Sequence, residues 1–227
     1  MCFSAGASFT AGAVISAVGV ATFAKVHKPS QKLFAIIPLL FGIQQLVEGC
    51  VWLTLQNPGH EVIQKISMYL FLILSDVFWP VIIPGSLLMM EENMKRRNII
   101  RILLGAGAVL SIYYAICLIS FSVTPKIINC HINYGGAFIP ALMIPAFLTY
   151  ILVTVTPMLV SGIKGMYWLG ILMFIGCIVT VIFYIKNVTS VWCFFAAIIS
   201  VGIYRVITVS DPRPSANWLM ARPLKGA

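Results

Sequence analysis

The sequence predicts an all-α fold, an integral membrane bundle of seven transmembrane helices with its N-terminus outside and its C-terminus in the cytoplasm. Three observations carry that prediction: uncharged stretches long enough to span a bilayer recur along the chain, the connections between them are short, and lysine and arginine collect in alternate connections. At 60% hydrophobic and 9% charged residues, with a mean hydropathy of +1.00, the composition lies far outside soluble globular usage. A span needs about 20 apolar residues at about 1.5 Å each. Residues 1–24, 102–125, 127–163, 165–185 and 187–204 carry no charge, and two further windows are interrupted only by Glu48 and Asp76. Helices are therefore expected near 8–25, 33–55, 65–90, 99–120, 138–160, 166–185 and 190–207. Residues 1–207 form one transmembrane domain in this reading, and 208–227 a cytoplasmic tail lying along the membrane interface.

The first helix reads as retained rather than as a cleaved signal, because no basic residue precedes its apolar run and Lys25 and Lys28 follow it. Gly6, Ala7, Ala11, Gly12, Ala13, Ser16, Ala17 and Gly19 make it rich in small residues, which lets a neighbouring helix approach closely. The second helix carries the most specific local pattern in the chain. Gln44, Glu48 and Trp52 recur every four residues and share one face, with Gln45 beside it. Two amides and a carboxylate on one face have to look inward, since lipid offers no hydrogen-bond partners.

In the third helix Asp76 is followed closely by Trp79, Pro80 and Pro84. Proline inside a span removes a helical hydrogen bond and frees backbone carbonyls near the bend. Before the fourth helix, Glu91 and Glu92 precede Lys95, Arg96 and Arg97 by about one turn, which reads as a solvated turn with exposed charge pairs. Pro140, Pro145 and Pro157 punctuate the fifth helix. The sixth, with Gly170, Met173, Gly176, Cys177 and Thr180, shows no counterpart of the polar face of the second, so no internal repeat is evident. The seventh contains no lysine, which excludes a retinal attachment site there.

Orientation follows from the basic residues. With the N-terminus outside, Lys25, Lys28, Lys32, Lys95, Arg96, Arg97, Arg101, Lys164, Arg205, Arg213, Arg222 and Lys225 fall on the inner side and only Lys65, Lys126 and Lys186 on the outer. That is the asymmetry of cytoplasmic loops. The net charge of +9 thus reads as a topology signal and a contact with anionic lipid headgroups, not as a nucleic-acid footprint.

Function is sought first at Glu48 and Asp76, because charge at bilayer depth is expensive and is kept for a task. Both fall outward of the midplane, by roughly 7 Å and 3 Å, close enough in depth to meet across a helix interface. Two acids in one low-dielectric site do not both ionise easily. A shared proton, a bound cation or a ligand amine are the chemical uses of such a site, oriented by Gln44 and Gln45 and walled by Trp52 and Trp79. The bland alternative is a neutral Glu48 bonded to neighbouring amides as glue between helices, with the tryptophans as interfacial anchors.

The longest outer connection, 121–137, contributes His131 and Tyr134 and is a candidate lid. Cys2 and Cys130 lie on the same outer side, where a disulfide is permitted. Cys2, Cys130 and His131 form a weaker alternative set of metal ligands, since adjacent Cys-His is not a recognised metal spacing. Neither HExxH nor GxSxG occurs, and the identity of any cofactor is left open by the sequence.

The opening MCFSAGASF, the run IPLLFGIQQLVEGCVW and the segment SDVFWP together resemble an uncharacterised family of small bacterial multi-pass membrane proteins that begin Met-Cys-Phe-Ser. The resemblance implies a bacterial inner-membrane location and transfers no catalytic residue. The expectation for function is a sensor- or transporter-type protein that binds a small ligand, cation or proton at the buried acids. A membrane-embedded enzyme acting on a lipid or isoprenoid, and a structural accessory subunit, are the alternatives; a sensor would need a partner protein or a second copy. Single cysteines placed at Lys28 and Lys95 should react with an impermeant maleimide only in inside-out vesicles, and one at Lys126 only in intact cells. Outside labelling at Lys95 would reverse the orientation.

Overall fold

A computed structural model describes residues 4–57, 59–128, 131–136, 139–184 and 188–209, with side chains described outside 180–196. Among these residues the chain forms seven helices and one hairpin: α1 (Ala5–Phe23), α2 (Pro29–Gln56), α3 (Glu61–Met90), α4 (Met94–Ser120), β1 (Thr124–Ile128), β2 (His131–Gly135), α5 (Pro140–Val160), α6 (Met166–Tyr184) and α7 (Val188–Val209). Helices α1 to α5 are each long and apolar enough to cross a membrane, and the described parts of α6 and α7 are apolar too. Every helix packs against the next in sequence, and α7 returns to α1. The ring is not uniform. In α2 and α3, 61% and 56% of the most apolar window is buried, against 33%, 33% and 28% in α1, α4 and α5. Of these five, the two helices that carry Glu48 and Asp76 are the most buried.

Lipid tails are as apolar as leucine, so close backbone contact and hydrogen bonds, rather than burial from water, must hold such helices together. The α1–α2 contact shows the first device. A Cβ added at Gly19 would lie 2.6 Å from Leu39 Cα, and one at Gly42 would lie 2.7 Å from the Ser16 nitrogen. Spaced by seven residues, Gly12 and Gly19 of α1 and Gly42 and Gly49 of α2 let the two backbones meet. Ser4 caps the start of α1 by accepting from the Ala7 N–H at 3.2 Å.

At the end of the bundle where α3, α4 and α5 turn, Glu91 replaces the expected solvated turn with a buried junction. Only 6% exposed, its carboxylate accepts from the Asn93 N–H (3.1 Å), the Ser161 hydroxyl (3.1 Å) and the Gly162 N–H (2.7 Å). One carboxylate thereby ties the end of α3 to the start of α4 and the end of α5. Asn93 caps α4 through the Lys95 and Arg96 N–H groups. Burial works against the Glu91 charge, but the bonds from Gly162, Asn93 and Ser161 and the nearby Arg96 outweigh it and hold the carboxyl below its ordinary range.

The opposite end is covered by the hairpin. Strands β1 and β2 pair antiparallel, Ile127 opposite Ile132 and Ile128 opposite His131. Ile132 packs with Trp52, Phe71, Leu118 and Val123, and the Tyr134 ring stacks on Phe71 with centroids 5.2 Å apart. The connection read as a candidate lid thus holds a strand pair packed against side chains of α2, α3 and α4.

Two outcomes test this packing. Gly42→Ala should lower stability by about 1–3 kcal/mol through overpacking against Ser16, whereas Gly6→Ala, which meets nothing within 4 Å, should be neutral or slightly stabilising; thermal unfolding in detergent measures both. For Glu91 the unfolded chain takes up a proton at higher pH than the folded one, so its contribution is complete above the usual glutamate range and disappears as pH falls through the lowered native value. Glu91→Gln should lack that acid-side loss and be less stable at neutral pH by roughly 2 kcal/mol.

Candidate functional site

The inward face of α2 is built from residues four apart. Gln44, Gln45, Glu48 and Trp52 are all buried, Glu48 completely. Gln45 Nε2 donates to Glu48 Oε2 at 3.0 Å, an i to i+3 bond that the helix geometry allows. Across the interface, Trp79 Nε1 of α3 donates to Gln44 Oε1 at 2.9 Å, and its ring lies 4.1 Å from that of Phe41. The tryptophan that could have anchored α3 at the membrane surface is instead a clasp inside the bundle, and Trp52 is buried as well. Two groups on this face are left over. Gln45 Oε1 and Trp52 Nε1 are buried and have no hydrogen-bond partner among the described residues. They are one acceptor and one donor, seven residues apart on either side of Glu48.

Asp76 lies in a different local structure. Residues Ile73–Phe78 form a π-helical stretch inside α3, an arrangement that places one extra residue in the turn and is frequent at functional sites. In π spacing the partner of the Ser75 carbonyl is the N–H of residue 80, and residue 80 is proline. The Tyr150 hydroxyl of α5 supplies the missing donor at 2.7 Å. Ser111 of α4 donates to the Val77 carbonyl at 2.7 Å. One turn on, Pro84 leaves the Pro80 carbonyl without its helical donor, and Gly107 of α4 brings its backbone against that oxygen.

Asp76 itself is 9% exposed. Its Oδ1 lies 3.1 Å from Ser75 Oγ, which also lies 3.2 Å from the Leu72 carbonyl. Oδ2 is buried with no partner among the described residues. Tyr114 of α4 is an ionisable neighbour of Asp76, and its ring contacts those of Tyr113 and Tyr150.

His131 and Tyr134 sit on β2 against the end of the bundle that holds Trp52 and Phe71. Burial keeps the His131 imidazole below its ordinary value, so it is neutral at pH 7. Cys2 and Cys130, proposed as a disulfide or as metal ligands, lie outside the described residues. Among those described, Cys50, Cys117 and Cys177 are free thiols, and no group of three His, Cys, Asp or Glu side chains is placed to hold a metal.

The sequence marks Glu48, Asp76 and both glutamines as buried groups and leaves both tryptophans between pocket wall and interfacial anchor, but it does not mark Ser111, Tyr114 and Tyr150. Those belong to α4 and α5, and nothing in their own segments marks them. The signal lies in α3, where Pro80 and Pro84 announce carbonyls that other helices must serve.

A sequence model described as "Family of unknown function (DUF6629)" matches residues 1–218. The chain belongs to that family. Members of DUF6629 are described as having no known function, in keeping with the resemblance read from the second and third helices. The matched range takes in all seven helices and the hairpin, so both acids lie within it. No curated protein and no solved structure matches the chain.

Proposed function

We propose that this DUF6629 protein is a multi-pass inner-membrane protein of sensor or transporter type, oriented with its N-terminus outside. Its site for a small polar ligand or cation is the inward face of α2 at Glu48, with Asp76 as the second acid. The observation that carries the reading is the unspent hydrogen-bonding capacity around a fully buried carboxyl: Gln45 Oε1 and Trp52 Nε1 flank Glu48 without partners among the described residues. A buried donor or acceptor left open costs about 1–3 kcal/mol. Pure helix glue would not retain two of them beside an acid. Together they suit a ligand with a positively charged or N–H-bearing group toward Glu48 and Gln45 and an acceptor toward Trp52.

The orientation rests on the distribution of charge. Among the described residues, Lys25, Lys28, Lys32, Lys95, Arg96, Arg97, Arg101, Lys164 and Arg205 belong to one end of the bundle, and Lys65 and Lys126 to the other. This is the pattern of a cytoplasmic end held by anionic headgroups.

Purified protein in detergent, screened by thermal shift against alkali-metal ions, amino acids and small organic amines, should yield a stabilising compound. A ligand at about 100 times its Kd adds about 2.7 kcal/mol to the folded state. Glu48→Gln preserves size and amide-like hydrogen bonding while abolishing ionisation, so it should stay folded and lose that stabilisation. Equal ligand stabilisation of wild type and Glu48→Gln would remove Glu48 from the site.

A further inference from the structure

We infer that Asp76 is a proton-binding site of the bundle, holding a proton on Oδ1 that hydrogen-bonds to Ser75. This deepens the proposed reading by naming what the second acid binds. Ser75 Oγ stands 3.1 Å from Asp76 Oδ1 and 3.2 Å from the Leu72 carbonyl, and a hydroxyl has one hydrogen to donate. Beside an ionised Asp76 both neighbours are acceptors only, and one contact goes unserved. With the proton on Asp76 the set closes: the Asp76 O–H donates to Ser75 Oγ, and Ser75 donates to the Leu72 carbonyl. Thr54, Ser67, Thr154 and Thr208 also share one hydrogen between two acceptors, but theirs are adjoining carbonyls of the preceding turn. Ser75 instead joins such a carbonyl to a carboxyl of the next residue.

Oδ2 points the same way. Buried and without a partner among the described residues, it would leave half of a carboxylate's charge uncompensated, whereas in the neutral acid it is a carbonyl oxygen, far less demanding of donors. Among the described residues no cation stands opposite. From α4 the groups facing Asp76 are Tyr114, with Tyr113 and Cys117 near it; from α5 it is Tyr150, whose hydroxyl is engaged by the Ser75 carbonyl. On α2 the one acid is Glu48. The lysines and arginines of the packed helices sit in end regions, Lys32 in α2, Lys65 in α3, and Lys95, Arg96, Arg97 and Arg101 in α4.

Release of the proton to water or to a basic ligand forces Ser75 to turn its hydrogen from the Leu72 carbonyl to the new carboxylate. The rearranged residue is the one whose own carbonyl binds Tyr150.

The small number of acids makes this directly observable. Of the six carboxyl residues, Glu61 and Glu92 are exposed and Glu91 is held ionised, so a protonated carboxyl signal at neutral pH has few sources. Infrared spectra of the purified protein should show the carbonyl stretch of a protonated carboxylic acid, above the amide band, shifting on transfer to D2O and disappearing as pH is raised. Asp76→Asn should lose that component and Glu48→Gln should keep it. Ser75→Ala, which preserves the acid but removes its acceptor, should move the band to higher frequency. A wild-type spectrum without the band at neutral pH, or an unchanged band in both Asp76→Asn and Ser75→Ala, would overturn the assignment. Loss of ligand stabilisation in Glu48→Gln plays no part in this outcome, so the two readings fail separately. Should Asp76→Asn not fold, the Ser75→Ala shift and the pH titration of wild type still decide.

Discussion

With prolines at 80 and 84, α3 has no way to close its own hydrogen-bond ladder, and in an apolar interior the missing donors have to come from other helices. Each carbonyl left open costs about 1–3 kcal/mol, comparable with a large share of the few kcal/mol that separate a folded protein from its alternatives. Tyr150 serves the Ser75 carbonyl, Ser111 adds a donor at Val77, and Gly107 brings the α4 backbone against Pro80. These three contacts position α4 and α5 around α3 more specifically than apolar packing could, because lipid competes for any apolar surface and for no hydrogen bond. The π-helical stretch belongs to the same repair. It places Ser75 five residues before Pro80, so the one open carbonyl of that spacing falls where Tyr150 reaches it.

On the other side, α2 divides its surface between two tasks. Its glycines meet α1 without any polar contact being needed, which leaves the opposite face for Gln44, Gln45, Glu48 and Trp52. The cost of burying that face is partly offset from within, by the Gln45 to Glu48 bond, and partly by α3 through Trp79. What stays open on it among the described residues, an amide oxygen and an indole N–H, is therefore a remainder left after packing has used what it can.

The seven helices are legible in the sequence because hydrocarbon thickness sets a length that an apolar window must meet to cross a membrane, and the structural boundaries fall within a few residues of the windows. Burial of the acids and glutamines is legible for the same reason. The hairpin is not: Ile127, Ile128 and Ile132 lie in its two strands, but Pro125 and the short strands hide the pattern inside a connection that reads as irregular. Glu91 escapes as well, since a carboxylate beside Lys95 and Arg96 looks like a solvated charge pair. Its partners are backbone N–H groups and a serine some seventy residues away. Tyr150 and Tyr114 carry no local mark, and their roles follow only from what α3 lacks.

The two acids differ in the kind of donor each receives, and that difference separates their chemistry. An amide N–H donates equally well to a carboxylate oxygen or to the carbonyl oxygen of a neutral acid, so the Gln45 bond accommodates Glu48 in either state. A serine hydroxyl placed between a carboxyl and a backbone carbonyl is selective, because its single hydrogen satisfies both only when the carboxyl brings one of its own. Trp79, three residues beyond Asp76, reaches Gln44 on the turn that also holds Gln45 and Glu48. The same short stretch of α3 therefore carries the proton-selective acid and the clasp to the permissive one. Any shift of the π-helical register turns both side chains together, which supplies a physical route by which a proton at Asp76 and a ligand at Glu48 would influence each other without the two carboxyls touching.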